Sequence, residues 1–238
     1  MKLAMVGLGK MGANMVRRLV RDGHEVVAYD LDSVSMENLA GESDAITAAK
    51  SLAVLVAELP QPRVVWLMVP HQFVDNSIDD LILAGIAEGD LVIDGGNSNF
   101  RLSQERAVRL LESGIHYVDC GTSGGVWGLD NGYSLMVGGT PEAVALVEPA
   151  LKSLAPAPDT GWGHVGPAGA GHYVKMVHNG IEYGMMQAYA EGFELMQSKE
   201  EMKLDMQQVA HIWQHGSVVR SWLLDLIADA FDDDASLA

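Results

Sequence analysis

The run Lys2-Leu3-Ala4-Met5-Val6 feeds directly into Gly7-Leu8-Gly9-Lys10-Met11-Gly12, and this junction restricts the fold more than any other part of the chain. A short apolar run of this kind is a strand buried in a parallel sheet. The next residues change period. From Asn14 to Asp22, Met15, Val16, Leu19 and Val20 share one side of a helix, Gly23 suits its C-terminal cap, and Glu25-Val26-Val27-Ala28-Tyr29 is a second strand. In a strand–turn–helix–strand unit the three glycines serve different ends. Gly7 permits the tight turn, Gly9 lets a phosphate approach the backbone, and Gly12 lets the helix lie close to the sheet. The exposed amides at the helix start then hold a pyrophosphate. Asp30 stands at the tip of the second strand, placed to receive the two adenosine ribose hydroxyls of a dinucleotide. Asp32 adds to the negative field, and the stretch from Asp30 to Lys50 contains no Arg or Lys to meet a 2′-phosphate, so NAD is expected rather than NADP. The candidate cofactor-binding set is Gly7, Gly9, Lys10, Met11, Gly12, Asp30, Val69 and Asn97.

The alternation continues. A helix is expected around Asp44–Leu59, a strand at Arg63–Val69 closed by Pro70, a helix near Val74–Ile86 and a strand at Leu91–Asp94. Then come a helix at Ser103–Ser113, strands at His116–Asp119 and Ser134–Val137, and a helix at Pro141–Leu154 with Pro141 in its first turn. This pattern predicts an α/β protein whose parallel sheet is covered by helices on both faces, a doubly wound Rossmann domain. The Pro/Gly-rich stretch from Ala155 to Gly169 reads as a connection, and strand signals stop beyond it. The expected division is therefore residues 1–165, the NAD-binding domain, and 166–238, an all-helical domain for substrate and oligomerisation. A long apolar helix from about His172 to Met196, with Met185, Met186, Leu195 and Met196, is read as domain core that is also suited to pairing with another subunit.

Composition narrows the function. A formal net charge of −17, with 15 Lys and Arg over 238 residues, excludes a nucleic-acid or anionic-membrane surface but leaves room for an anionic small molecule. No apolar run approaches the roughly 20 residues of a membrane span, and the first residues read as a strand and not a signal peptide, so a cytoplasmic location is expected. The single Cys120 excludes an internal disulfide and a Cys-based zinc site, and reads as a small buried residue.

The chemistry is concentrated in Gly171–Gly184. Lys175 and Glu182 lie two helical turns apart and about 20° out of line, with His178 and Asn179 between them. That face is polar where a core-facing helix is apolar, and Gly169, Gly171, Gly180 and Gly184 are positions where another backbone or a ligand comes close. Two polar loops, Asp94-Gly95-Gly96-Asn97-Ser98 and Gly121-Thr122-Ser123-Gly124-Gly125, fall just beyond strand ends, where doubly wound sheets keep their ligands. Together they describe one polar pocket for a polyhydroxylated or carboxylated molecule.

The set from Gly7–Gly12 through Asp94–Ser98 and Thr122–Gly125 to Lys175-Met176-Val177-His178-Asn179-Gly180-Ile181-Glu182-Tyr183 resembles the 6-phosphogluconate dehydrogenase family, within the wider β-hydroxyacid dehydrogenases. The His178–Tyr183 segment is what looks specific to the phosphogluconate branch, and the resemblance covers essentially the whole chain. It implies oxidative decarboxylation of 6-phosphogluconate to ribulose 5-phosphate and carbon dioxide, as in the pentose phosphate pathway. Lys175 would be the base for the 3-hydroxyl and Glu182 the acid for the later enediol, with Asn97, Ser123, Gly124, Gly125, His178, Asn179 and Tyr183 holding the substrate. No acidic cluster suits a divalent metal at this site, so no metal is expected and the protonated Lys175 takes the electrophilic role. A homo-oligomer, dimer or tetramer, is implied as well. Asp30-Leu31-Asp32 resembles the short, NAD-preferring branch, whereas long NADP-linked members carry an Arg just after the second strand. Even short members continue into further helices with a phosphate-binding Arg, so the C-terminal domain is expected to be incomplete, Lys203 and Arg220 being its remaining candidates. Two other readings stand beside this one: a β-hydroxyacid dehydrogenase that does not decarboxylate, and a non-catalytic NAD-binding protein.

Overall fold

The computed structural model describes residues 1–234. In chain order the elements are β1 (Lys2–Val6), α1 (Lys10–Arg21), β2 (Glu25–Tyr29), α2 (Ser33–Ala40), β3 (Ile46–Ala48), α3 (Leu52–Ala57), β4 (Val64–Leu67), α4 (Val74–Leu83) and β5 (Leu91–Asp94). They continue with α5 (Phe100–Leu111), β6 (His116–Ser123), the short α6 (Gly128–Asn131), β7 (Ser134–Gly139), α7 (Pro141–Leu154) and β8 (Trp162–Gly166). The helices α8 (Ala170–Gln197), α9 (Met206–Trp213) and α10 (Trp222–Asp233) complete the order. The eight strands form one sheet in the order β3-β2-β1-β4-β5-β6-β7-β8.

Successive residues of a strand face opposite sides of a sheet, and β1 accordingly feeds two cores. Leu3 and Met5 pack with Met15, Val16 and Leu19 of α1 on one face, while Ala4 and Val6 pack with Leu55, Ile78 and Leu81 of α3 and α4 on the other. Both faces are covered, as the continuous apolar strands require.

The chain divides into two compact units, Met1–Met176 and Val177–Ala238. The second has its own core, in which Phe193 of α8 meets Met206, Ala210, Leu224, Ala228 and Phe231 of α9 and α10. No described helix is long and apolar enough to cross a membrane.

Several expectations are corrected. The single helix expected at Asp44–Leu59 is instead β3 followed by α3, and α2 precedes them. Caps explain the starts: Asp32 accepts from the amides of Val34 (3.1 Å) and Ser35 (3.4 Å), and Ser51 accepts from Val54 (3.2 Å). Ile46–Ala48 is drawn into the sheet by pairing with Val26–Ala28, which satisfies backbone groups that a helix would have satisfied internally. The sheet is not wholly parallel, because β7 runs antiparallel to β6. The Pro/Gly-rich connection also holds a strand, β8, paired to β7. Met186 and Leu195 of α8 are exposed and not core. Cys120 is fully buried, and burial pushes its thiol well above the ordinary range, as suits a packing residue.

Candidate active site

Strand order reverses between β1 and β4, and the helices after these strands leave on opposite faces, which opens a crevice at the strand ends. A cleft of about 680 Å³ lies there, within the usual range of roughly 300–1,000 Å³ for cofactor sites. Gly7, Gly9, Lys10, Met11, Gly12, Asp30 and Val69 all line it; Asn97 does not, although its neighbour Gly96 does. The far wall is carried by no sequence motif. Leu52, Phe73, Asn76, Ser77 and Asp80 form it, and the one signal that points to them is their position just after strands β3 and β4.

The glycine turn has the geometry its spacing predicts. Gly7 has φ +94°, and a Cβ there would stand 2.6 Å from the Met68 carbonyl oxygen. A Cβ on Gly12 would collide with the Gly7 carbonyl, so α1 packs closely only because that carbon is missing. At Gly9 a Cβ would point into open space, the side from which a phosphate reaches the amides of α1. Asp30 is held by both oxygens: Leu8 N–H donates to Oδ2 at 2.5 Å and Asp32 N–H to Oδ1 at 2.9 Å. Each oxygen keeps a lone pair for a ribose hydroxyl. Asp32 is occupied as the cap of α2, and the Ser35 hydroxyl and amide hold its carboxyl below the usual range. The glycine cradle, the open face at Gly9 and the fixed carboxylate together fit a nicotinamide dinucleotide.

The loop after β5 is organised by fully buried Asp94. Its Oδ1 accepts from Gly96 N–H (3.1 Å), and its Oδ2 accepts from the Ser98 hydroxyl (2.7 Å) and from Arg106 Nη1 (3.0 Å). Arg106, itself buried on α5, also donates to Asp75 on α4 at 2.9 and 2.8 Å. The α4 wall and the Gly95–Ser98 loop are thus joined through one guanidinium. Asn97 projects from this loop and is exposed.

The second polar loop is largely strand. β6 continues through Ser123, which pairs with Ser134, and the turn itself needs Gly124 (φ +127°) and Gly125 (φ +53°). Asn14 of α1 donates to the Val126 carbonyl at 3.3 Å, which ties this turn to the cofactor-binding helix. Lys175 is only 8% exposed, and its Cβ lies where a side chain on Gly121 would be. The first unit therefore brings Lys175 onto the end of β6, two residues before Ser123.

The other expected site residues lie on the part of α8 that belongs to the second unit. His178 Nδ1 is 3.3 Å from Asn179 Oδ1 and 3.7 Å from Glu182 Oε2, and all three are half-buried. Tyr183 is 70% exposed. Of the four glycines expected to admit close neighbours, Gly171 lies against the carbonyls of Met136 and Asp119 and Gly169 against Phe100, whereas a Cβ on Gly180 or Gly184 would meet nothing within 4 Å. Among the described residues no group of three or more His, Cys, Asp or Glu is placed to hold a metal ion.

Comparison with known proteins decides the family. Residues 2–166 match the NAD binding domain of 6-phosphogluconate dehydrogenase, and residues 171–205 and 188–238 match the C-terminal domain of 6-phosphogluconate dehydrogenase. The chain belongs to the 6-phosphogluconate dehydrogenase family. It is 47% identical over 238 residues to the NAD(+)-dependent, decarboxylating 6-phosphogluconate dehydrogenase of Haloferax volcanii, covering 99% of this chain and 77% of that one. A Plasmodium falciparum 6-phosphogluconate dehydrogenase, whose structures include complexes with NADP+ and with 6-phosphogluconate, superposes with a TM-score of 0.88 at 30% identity, over 99% of this chain and 52% of that one. A Mycobacterium tuberculosis 3-hydroxyisobutyrate dehydrogenase superposes with a TM-score of 0.76 at 28% identity, over 93% of this chain and 72% of that one. Within this family the first domain is the one that takes the nicotinamide dinucleotide, in agreement with the cleft at β1 and β4.

Proposed function

We propose that this protein oxidises and decarboxylates 6-phosphogluconate to ribulose 5-phosphate and carbon dioxide, with NAD as the preferred acceptor. The observation that carries the reading is Lys175, an almost fully buried lysine whose stem is seated on Gly121 toward the end of β6, two residues before the Ser123–Gly125 turn. Gly7, Gly9, Gly12 and Asp30 would hold NAD, which would supply a hydride acceptor for C3 of the substrate. Lys175 takes the proton from the 3-hydroxyl, and its ammonium then polarises the new carbonyl so that the C1 carboxylate leaves as carbon dioxide. Glu182 gives a proton to C1 of the resulting enediol, and His178, a turn before it on α8, places its Nδ1 3.7 Å from that carboxyl. Asn97, Ser123, Gly124, Gly125, His178, Asn179 and Tyr183 hold the sugar phosphate. The preference for NAD is supported by Asp30, whose fixed carboxylate suits a ribose diol and repels a 2′-phosphate. We assign residues 1–165 to cofactor binding and 166–238 to substrate binding and assembly into a homo-oligomer.

The test is cofactor reduction with 6-phosphogluconate, run in parallel with NAD and NADP and against 3-hydroxyisobutyrate. Release of carbon dioxide in step with NADH is expected, and Lys175→Met should abolish it while NAD still binds. Turnover of the short acid without carbon dioxide would replace this reading by the non-decarboxylating one, and NAD binding without turnover of either acid would make the protein a non-catalytic binder.

A further inference from the structure

The proton transfers assigned to Lys175 and Glu182 leave out Asp119, a fully buried carboxylate on β6. Its partners are all on or just before α8: Oδ1 accepts from Gly169 N–H at 2.6 Å and Oδ2 from His172 N–H at 2.8 Å. The first amides of a helix lack intrahelical acceptors, and a cap usually comes from the residue just before the helix. Here the residue before it is glycine, Gly169 at φ +91°, which has no side chain to serve. A strand residue 50 positions earlier supplies the acceptor instead. The negative charge also lies at the positive end of the α8 dipole, which favours it there.

The room for this arrangement is made by glycines. A Cβ on Gly138 would stand 2.5 Å from Asp119 Oδ1, and one on Gly171 would stand 2.5 Å from the Asp119 carbonyl oxygen. Gly121 lies two residues beyond Asp119, so both face the same side of the sheet. A Cβ on Gly121 would run into the Lys175 stem and stand 2.9 Å from the Gly171 carbonyl oxygen. One strand therefore grips the start of α8 with a carboxylate and supports the lysine one turn later with an empty glycine position. His172 sits between these points, its Nδ1 sharing a 2.7 Å hydrogen bond with the buried Ser103 hydroxyl of α5.

We infer that Asp119 and Gly121 are positioning residues for Lys175: the carboxylate fixes where α8 begins on β6, the glycine fixes how closely the lysine stem approaches it, and together they set where the amine stands. This rests on Lys175 as the base. An asparagine at position 119 keeps the shape but has one acceptor oxygen, and its NH2 would face an amide N–H. One grip on the first turn would be lost and the lysine would shift. A shift of about 1 Å in a reacting group costs on the order of 100-fold in rate.

The test measures kcat and KM for 6-phosphogluconate, the Kd for NAD, and the rate at which trace acetic anhydride acetylates Lys175 relative to Lys2, read by peptide mass spectrometry. For Asp119→Asn we expect kcat to fall on the order of 10- to 100-fold, the NAD Kd to stay within about twofold, and the relative acetylation of Lys175 to change severalfold. A residue that merely stabilises the fold would change none of these below the melting temperature. Wild-type kcat together with wild-type acetylation in folded Asp119→Asn would overturn the inference. Should that variant not fold, Gly121→Ala carries the test, because its methyl displaces the lysine stem directly; unchanged kcat and acetylation there would overturn it equally. If the unaltered protein does not oxidise 6-phosphogluconate, the proposed function fails, and the acetylation ratios still decide whether Asp119 and Gly121 position Lys175.

Discussion

Arg106→Met removes the guanidinium that joins the α4 wall of the cofactor cleft to the loop after β5. Arg106 is 2% exposed and Asp94 is fully buried, so their 3.0 Å ion pair lies out of water, whereas Asp75 on the other side is half exposed. Breaking a buried pair by deleting one partner costs about 3–5 kcal/mol, since the remaining charge keeps its desolvation penalty. The Asp75 half contributes below about 1 kcal/mol, as exposed pairs do. Asp94 keeps its bonds from Gly96 N–H and the Ser98 hydroxyl, and Tyr117 OH stands at 3.4 Å, so the lower part of the range, about 3–4 kcal/mol, is expected. Against a total stability of about 5–15 kcal/mol this is a large loss. In urea, with a slope of about 2–3 kcal/mol per molar, the midpoint should fall by about 1–2 M. Circular dichroism during urea unfolding reads this directly, and NAD titration should show weaker binding because the Gly95–Ser98 loop loses its anchor. The double variant Asp94→Asn/Arg106→Met should cost less than the sum of its single variants by at least about 2 kcal/mol, because the second change removes the charge the first one strands. A loss below about 1 kcal/mol for Arg106→Met, or a coupling near zero, would refute the claim that this pair organises the site.

Replacing Asp30 by Ser and Leu31 by Arg should narrow or reverse the preference for NAD, since the ribose acceptor is removed and a cation placed at a side chain 92% exposed; equal use of NAD and NADP by the unaltered protein would defeat that reading. Gly12→Ala should weaken NAD binding at least about tenfold by forcing α1 off the Gly7 carbonyl, as a fluorescence titration would show; unchanged affinity would mean the helix is not held by that contact. His24 is buried, and desolvation first, then the neighbouring N-terminal ammonium, lowers its folded pKa below the ordinary 6.5. The unfolded chain then binds the extra proton more readily, so stability should fall as pH drops below about 6.5 and the loss should be complete below the folded value. Urea midpoints at pH 7.5 and 5.5 should differ less in His24→Gln than in the unaltered protein; equal differences would remove His24 from the pH dependence.

Much of the cofactor site is legible in the sequence. The turn at Gly7–Gly12, its helix and the carboxylate at position 30 depend on backbone freedom at glycine and on apolar period, both of which a short stretch of residues displays. The strands β1, β2, β4 and β5 are equally plain because each carries a run of three or four consecutive apolar residues. The stretch from Asp44 to Leu59 reads wrongly as one helix because β3 is three residues long and has no period of its own; its conformation comes from pairing with β2. β8 is hidden for the same reason, its Gly163 and Gly166 reading as loop until β7 supplies the hydrogen-bond partner.

The side-chain networks lie further from reach. Local residue order is enough to specify a glycine-rich turn between buried strand and helix, an acidic residue at the next strand end, and a helix carrying Lys175 and Glu182 on one side. Those features arise from interactions among neighbours in the chain, where spacing alone states which groups meet. Long-range packing alone settles that Arg106 binds Asp75 and Asp94, 31 and 12 residues before it, and that Asp119 accepts from Gly169, 50 residues later, at the start of α8. Such partners are chosen by burial: once the sheet and helices exclude water, each stranded charge and helix-end amide must take the partner that the packing brings within about 3 Å, and no local period in the sequence records which partner that will be.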